Sequence, residues 1–321
     1  MKRPTPARPI VLLGPQRREP RVRSVLEELG AEGPVAAVTA GWEELEEEIE
    51  ELQAHLDRPV HHLRLWHRAE EAFEEDPDLY RILRERYDAL RRLRSLYRLR
   101  LEYALAAVRR LQEQDPGDRL EDLLEAELES AFEEVRRLDR EHLQRVEEVH
   151  REYDPRIRAA ERPSLVRHRR EIRGLLEESH ALCLAGGHVA ILLNRLRLFL
   201  DGFPDRLPLV AWSAGAMVLS ERIVLFHDRP PQGPGNPEVL EPGLGLAPGL
   251  VLFPHARRRL ILDEPSRVAR LARRLQPACC LTLDRGSAVW LRGRAVQRQE
   301  RVSVLQGDGS VLPAGTEEVK A

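Results

Sequence analysis

The run Leu209-Val210-Ala211-Trp212-Ser213-Ala214-Gly215-Ala216 leads an apolar stretch into one hydroxyl surrounded by small residues. A buried strand that turns sharply into a helix looks like this, because bulkier neighbours would collide at so tight a corner. The usual form of such an elbow is G-x-S-x-G; here Ala211 replaces the first glycine. A serine held at that bend can act as a nucleophile once a base takes its proton. A small-Ser-small run is also found in plain structural turns, so the other residues of the chain must decide.

Of the 11 histidines, His255 is the candidate base. It follows a strand-like run in Leu252-Phe253-Pro254-His255-Ala256, and sites of α/β proteins form at the carboxyl ends of parallel strands. Its bland alternative is a cap or packing residue for the next helix. His61, His62, His142 and His168 fall in helical or edge contexts and read as surface or packing residues. The candidate acids are Asp228, in Phe226-His227-Asp228-Arg229-Pro230, and Asp284, in Leu283-Asp284-Arg285-Gly286. Either could be an ordinary turn aspartate. For the oxyanion of an acyl transfer, the backbone N–H of Ala214 is one donor and that of Gly187, in Gly186-Gly187, the natural second. Gly-Gly equally makes a tight strand-to-helix turn.

These residues need a scaffold. Residues 1–66 alternate strand and helix: Pro9–Leu13, a helix over 21–29, Val35–Val38, a helix over 42–56, and a possible strand over 60–65. Residues 67–180 are dense in Glu, Arg and Leu. Leu83, Tyr87, Leu90, Leu93, Tyr97, Leu101, Ala104, Val108 and Leu111 step by three or four, as do Leu120, Leu124, Leu128, Ala131, Val135, Leu138 and His142. Asp115-Pro116-Gly117-Asp118 separates the two series. The spacing predicts an antiparallel, coiled-coil-like hairpin of two helices, each roughly 50 Å long, and then a shorter helical stretch ending near Ser179. The charge on it reads as a solvated face, and its apolar seam requires the other arm or a second subunit. Residues 181–321 return to strand and helix and carry the elbow, with a loop expected over 230–248 and closing strands over 279–283, 287–291 and 302–305. The fold expected is α/β, a doubly wound, mostly parallel sheet interrupted by a long α-helical hairpin insertion.

Composition narrows the partners. The formal net charge of -3 over 321 residues gives no argument for nucleic acid. Lys2 and Lys320 are the only lysines, so arginine carries nearly all the positive charge. Cys183, Cys279 and Cys280 make neither a disulfide framework nor a zinc site and read as buried thiols of a reducing cytoplasm. Ile10–Leu13 is too short for a signal-peptide core or a membrane span, so a cytoplasmic chain with no membrane partner is expected. No P-loop, no G-x-G-x-x-G after the first strand and no H-E-x-x-H occurs, so neither a cofactor nor a metal is expected.

In order along the chain, Gly186-Gly187 before a Leu-rich helix, Trp212-Ser213-Ala214-Gly215-Ala216, Asp228 and Pro254-His255 resemble the peptidase E and cyanophycinase group, the S51 serine peptidases. The resemblance covers about residues 181–291. It implies a class I glutamine amidotransferase-like, flavodoxin-like sheet, with Ser213 as nucleophile, His255 as base and Asp228 as triad acid; Asp284 matches the strand-end acidic region used by related members. It also implies that Gly186, Gly187, Ala214 and His188 border the substrate, a small peptide or related amide. The chain departs from the group at His188, where Asn or Asp is common, and in the 67–180 insertion. Ser213 stands where glutamine amidotransferases carry cysteine, which argues against that activity. Two functions remain open: a serine hydrolase, or a non-catalytic binding or assembly protein that keeps the elbow for structure and forms a homo-oligomer through the helical hairpin.

Overall fold

The computed structural model describes residues 8–115, 121–228 and 235–315. Five parallel strands form the middle of the molecule: β1 (Pro9–Leu13), β2 (Val35–Val38), β3 (Val60–His62), β4 (Ala181–Leu184) and β5 (Leu209–Trp212). All four residues of β2, β4 and β5 are buried, as a sheet covered on both faces requires. On one face Val11, Leu13, Val35, Ala37, Cys183 and Val210 pack with helices α1 (Val22–Glu28) and α2 (Glu50–Leu56). On the other, Ile10, Leu12, Ala36, Val38, Leu182 and Leu184 join a larger core. Helices α3 (Leu65–Glu75), α4 (Pro77–Gln112), α5 (Glu121–Ile157), α6 (Pro163–Glu177) and α7 (Val189–Phe199) contribute to that core. The short helix α8 (Ala214–Met217) follows β5 directly.

The parallel strands run in the order β3–β2–β4–β5–β1. In the flavodoxin order the first strand lies between the second and third. Here β1 lies at the end of the parallel series, and its free edge is taken by an antiparallel strand, β10 below. Beyond the elbow come β6 (Arg222–Leu225), β7 (Glu238–Pro242), β8 (Leu250–Pro254), α9 (Ala256–Arg259), α10 (Pro265–Leu275) and β9 (Cys279–Leu283). The chain closes with β10 (Ala288–Arg292), β11 (Ala295–Glu300), β12 (Ser303–Leu305) and β13 (Val311–Pro313). The segment expected as loop over 230–248 contains β7, paired antiparallel to β6; residues 229–234 of it lie outside the described residues. The three expected closing strands divide between two sheets. Strand β10 joins the main sheet, whereas β9 and β12 form a four-stranded sheet with β8 and β13. The helix expected over 42–56 is a 3-10 turn, Ala40–Leu45, followed by α2. Glu43 breaks it, with φ 59° and ψ -127°.

The long helices α4 and α5 have 36 and 37 residues. They run antiparallel, since contacts pass from Glu85–Arg156 to Tyr97–Asp139 and Arg100–Glu141. The break expected at 116–118 lies outside the described residues. The apolar seam is covered within the chain. Tyr97, Leu101, Leu105, Val108, Phe132 and Val135 belong to the same core cluster as the sheet. The three cysteines form no disulfide among the described residues, and burial pushes the thiols of Cys183 and Cys280 up to about 12, so neither is a ready nucleophile. Among the described residues no helix is long and apolar enough to cross a membrane.

One buried polar cluster ties the insertion to the rest. Arg274 of α10 donates from Nε and Nη2 to the two Asp139 oxygens, each at 2.8 Å, and from Nη2 to the Tyr97 hydroxyl at 2.8 Å. Its Nη1 donates to the Pro237 carbonyl at 2.6 Å. The Tyr97 hydroxyl donates to Asp139 and accepts from the Val239 amide. The side chains of Arg274 and Asp139 are 2% and 1% exposed, so removing either leaves the other charged and dry. Asp139→Ala is expected to destabilise the protein by about 3–5 kcal/mol in urea unfolding. An Asp139→Ala loss below about 1 kcal/mol would mean that Arg274 finds water or another anion there.

Candidate active site

Ser213 occupies the junction of β5 and α8 with φ 52° and ψ -120°, a backbone state that a non-glycine residue adopts only under constraint. The constraint is visible. Ser213 N–H donates to the Leu13 carbonyl at 3.1 Å, while the Ser213 carbonyl accepts from Ala216 and Met217. Gly215 crosses the end of β4 so closely that a Cβ there would lie 2.2 Å from the Leu184 carbonyl oxygen. A Cβ on Gly186 would lie 2.9 Å from the Ser213 Cβ. The small residues of the sequence run are therefore what permits β4, β5 and α8 to meet. Ser213 is half-buried, and its hydroxyl makes no hydrogen bond among the described residues.

His255 joins β8 to α9 in the left-handed region, φ 57° and ψ 35°. Its N–H donates to the Leu283 carbonyl at 3.1 Å, so the parallel β8–β9 pairing fixes its place. Ser213 and His255 border one cavity of about 890 Å3, together with Gly186, Gly187 and Ala214. Burial, and then Arg259 and Arg258, hold the His255 imidazole below its ordinary value. A ring so placed is neutral near pH 7 and able to accept a proton.

Neither candidate acid reaches that ring by a hydrogen bond. Asp228 is buried; its Oδ2 accepts from the Ile261 amide at 2.9 Å, and its Oδ1 lies 3.0 Å from Arg267 Nη2. Its own N–H donates to the Arg259 carbonyl at 2.7 Å. Asp284 Oδ1 accepts from the Arg257 amide at 3.1 Å, and burial raises its carboxyl above the usual range. The two carboxylates thus brace the backbone on both sides of α9, the helix that begins at His255. Among the described residues no carboxylate hydrogen-bonds to the imidazole itself.

The expected oxyanion side is formed by backbone. Ala214 opens α8, where N–H groups precede the first intrahelical bond. Gly187 has φ 115°, and a Cβ there would lie 2.2 Å from the Gly41 carbonyl oxygen. His188 caps the next helix. It is exposed, its N–H donates to Gly41 O at 2.7 Å, and its Nδ1 accepts from Ile191 N–H at 3.2 Å, capping α7. Sequence reasoning missed the contribution of Gly41 and Trp42, which border the cavity at the end of β2. Their signal was the glycine at a strand's carboxyl end, the same signal used for Gly187. Glu238 and Arg259 also border the cavity. Arg94 and Arg98 of α4 hold Glu238 at 2.9 and 3.0 Å, so the insertion supports one wall. Among the described residues no group of His, Cys, Asp and Glu is arranged to hold a metal ion.

No protein family and no curated protein matches the chain. The structure is similar to the crystal structure of a peptidase from an acI-B1 Actinobacterium, with 14% identity and a TM-score of 0.44. The alignment covers 94% of this chain and 92% of the other.

The crossing of backbones at the elbow makes a direct prediction. Gly215→Ala is expected to destabilise by about 1–3 kcal/mol, because the methyl group meets a carbonyl oxygen that belongs to a central strand. Gly174→Ala in α6, where nothing lies within 4 Å of the added carbon, is expected to stabilise by about 0.5–1 kcal/mol. Equilibrium unfolding of both variants beside the parent checks the pair; equal effects would remove the claim that space at the elbow is limiting.

Proposed function

We propose that this chain is a serine hydrolase, peptidase-like, which cleaves a small peptide or related amide through an acyl-enzyme. The observation that carries the reading is the convergence of Ser213 and His255 on one cavity, each held at a strand end in a rarely adopted backbone state. In this mechanism His255 takes the Ser213 hydroxyl proton as the oxygen attacks the substrate carbonyl. The Ala214 and Gly187 N–H groups receive the oxyanion. The C–N bond breaks as His255 returns the proton to the leaving amine, and a water activated by the same ring then releases the acid. Asp228 and Asp284 serve as positioning residues through the backbone around α9, in place of a carboxylate bonded to the ring. The likeness to the S51 peptidases and the class I amidotransferase-like fold belongs to the same reading, and it rests on the order of the four motifs.

A second reading keeps a specific observation in its favour. The Ser213 hydroxyl and the His255 ring are not hydrogen-bonded to each other, and Leu96, Leu99 and Tyr103 on α4 are 64%, 55% and 73% exposed. A non-catalytic protein that assembles through the outer face of α4 would have both features. Catalytic hydrogen bonds are often long before substrate binds, so the first feature weighs less than the shared cavity.

A fluorophosphonate probe separates the two readings. The parent protein is expected to be labelled and Ser213→Ala is not; absence of labelling in both supports the binding protein. Once a substrate is found, His255→Ala should lower kcat/KM by about 10²–10⁴, the usual contribution of a general base. The ring must be neutral to act, and its environment lowers its affinity for protons. Activity is therefore expected to rise with pH along an acid limb whose midpoint lies below about 6.5, the ordinary imidazole value. An acid limb above 6.5 in kcat/KM would remove His255 as the base.

A further inference from the structure

A second, smaller cavity of about 80 Å3 lies beside the first, and the two share Gly235 and Asn236 as lining residues. Its wall carries four guanidinium groups, Arg109 from α4 and Arg267, Arg270 and Arg274 from α10, against one carboxylate, Asp228. Arg274 is committed to Asp139, and Arg267 to Asp228 at 3.0 Å. Among the described residues Arg109 donates only to the Asn236 side-chain oxygen, at 3.0 Å. Among the described residues neither Arg109 nor Arg270 has a carboxylate within 4.0 Å. Two half-buried cations therefore face a small cavity with no carboxylate in salt-bridge contact among the described residues, a place that an anion from outside would complete. Burial, and then Arg109 and Arg267, lower the proton affinity of Arg270, while Glu113 and Glu264 offset this in part from beyond contact distance.

We infer that this cavity binds one dianionic oxyanion group of phosphate size, held by Arg109 and Arg270 with Arg267 shared between the ligand and Asp228. Planar guanidinium forks match the oxygens of a phosphoryl group in pairs. Two guanidinium groups with no carboxylate in contact match a dianion better than a single carboxylate. A cavity of about 80 Å3 has room for one such group. The group could be free phosphate, or the phosphate end of a monoester whose organic part passes Gly235 and Asn236 into the larger cavity. Arg267 connects the site to the elbow region. It holds Asp228, which in turn holds the Arg259 carbonyl and the Ile261 amide at the end of α9.

Isothermal titration with inorganic phosphate, at constant ionic strength, tests the inference. Saturable binding is expected, weakened about tenfold or more by Arg270→Gln and further by Arg109→Gln together with it. Both side chains are half-exposed and neither is in a salt bridge among the described residues, so the variants should fold, and circular dichroism checks that they do. Acetate and chloride serve as competitors of lower charge. Phenyl phosphate binding more tightly than inorganic phosphate identifies a monoester as the ligand class, and equal or weaker binding identifies free phosphate. Acetate binding as tightly as phosphate, or phosphate binding unchanged in the double variant, overturns the inference. Fluorophosphonate labelling of Ser213 is independent of every one of these outcomes.

Discussion

The site depends on how closely three pieces of backbone can approach one another. The end of β4, the turn after β5 and the 3-10 turn after β2 meet where Gly186, Gly187, Gly215 and Gly41 supply no side-chain atoms. A Cβ at Gly187 or Gly215 would fall 2.2 Å from a carbonyl oxygen, well inside contact distance. With those atoms missing, the Ser213 hydroxyl and the first N–H of α8 can face one opening. Strain at Ser213 costs on the order of 1–3 kcal/mol and persists only because its neighbours fix it from several sides. The Ser213 N–H bond to Leu13 O and the return of two amides to Ser213 O are the fixings.

The insertion contributes more than length. Arg274, Asp139 and Tyr97 join α10, α5 and α4 in a dry cluster with nearly every polar atom paired. From this anchor α4 extends Arg94 and Arg98 to Glu238, at the wall of the larger cavity, and Arg109 to Asn236, where the two cavities meet. His142 stacks on Tyr97 at 4.0 Å between ring centres, which closes the cluster on the α5 side. A hairpin that could have been a separate module thus lines the smaller cavity and braces one wall of the larger. Its seam finds its partner in this chain, and the face left over is the outer one of α4, with Leu96, Leu99 and Tyr103.

Local patterns in the sequence made the elements around the site legible. The three-and-four spacing of α4 and α5, the apolar runs of β1, β2, β4 and β5, and the small residues after Trp212 each have a local cause, and each element stands where its pattern places it. Pairing was less legible. Strand β7 is amphipathic, buried at alternate positions, and lies in a segment whose prolines and glycines hid the alternation. The position of β1 beside β10 depends on a contact between residues nearly the whole chain apart, Pro9 with Arg292, which no local pattern encodes. His188 borders the substrate only through the family resemblance; in the structure its side chain accepts from the Ile191 N–H at the start of α7. The carboxylates were legible as strand-end aspartates, but their direction was not, since it depends on which amide each meets first.

That direction changes how the electrostatics of the site are read. In a triad the acid both orients the imidazole and stabilises the cation it becomes. Around His255 the nearby charges are Arg258 and Arg259, which do the reverse. The ring is thus kept neutral and basic in position but is poorly supported as an imidazolium. In the proposed reaction the negative charge that supports it is the oxyanion beside Ala214 and Gly187, formed together with the cation in one cavity. The same arrangement gives Asp228 and Asp284 a reason to hold backbone: with no carboxylate bonded to the ring among the described residues, its orientation rests on α9, and α9 is held at both ends by those two side chains.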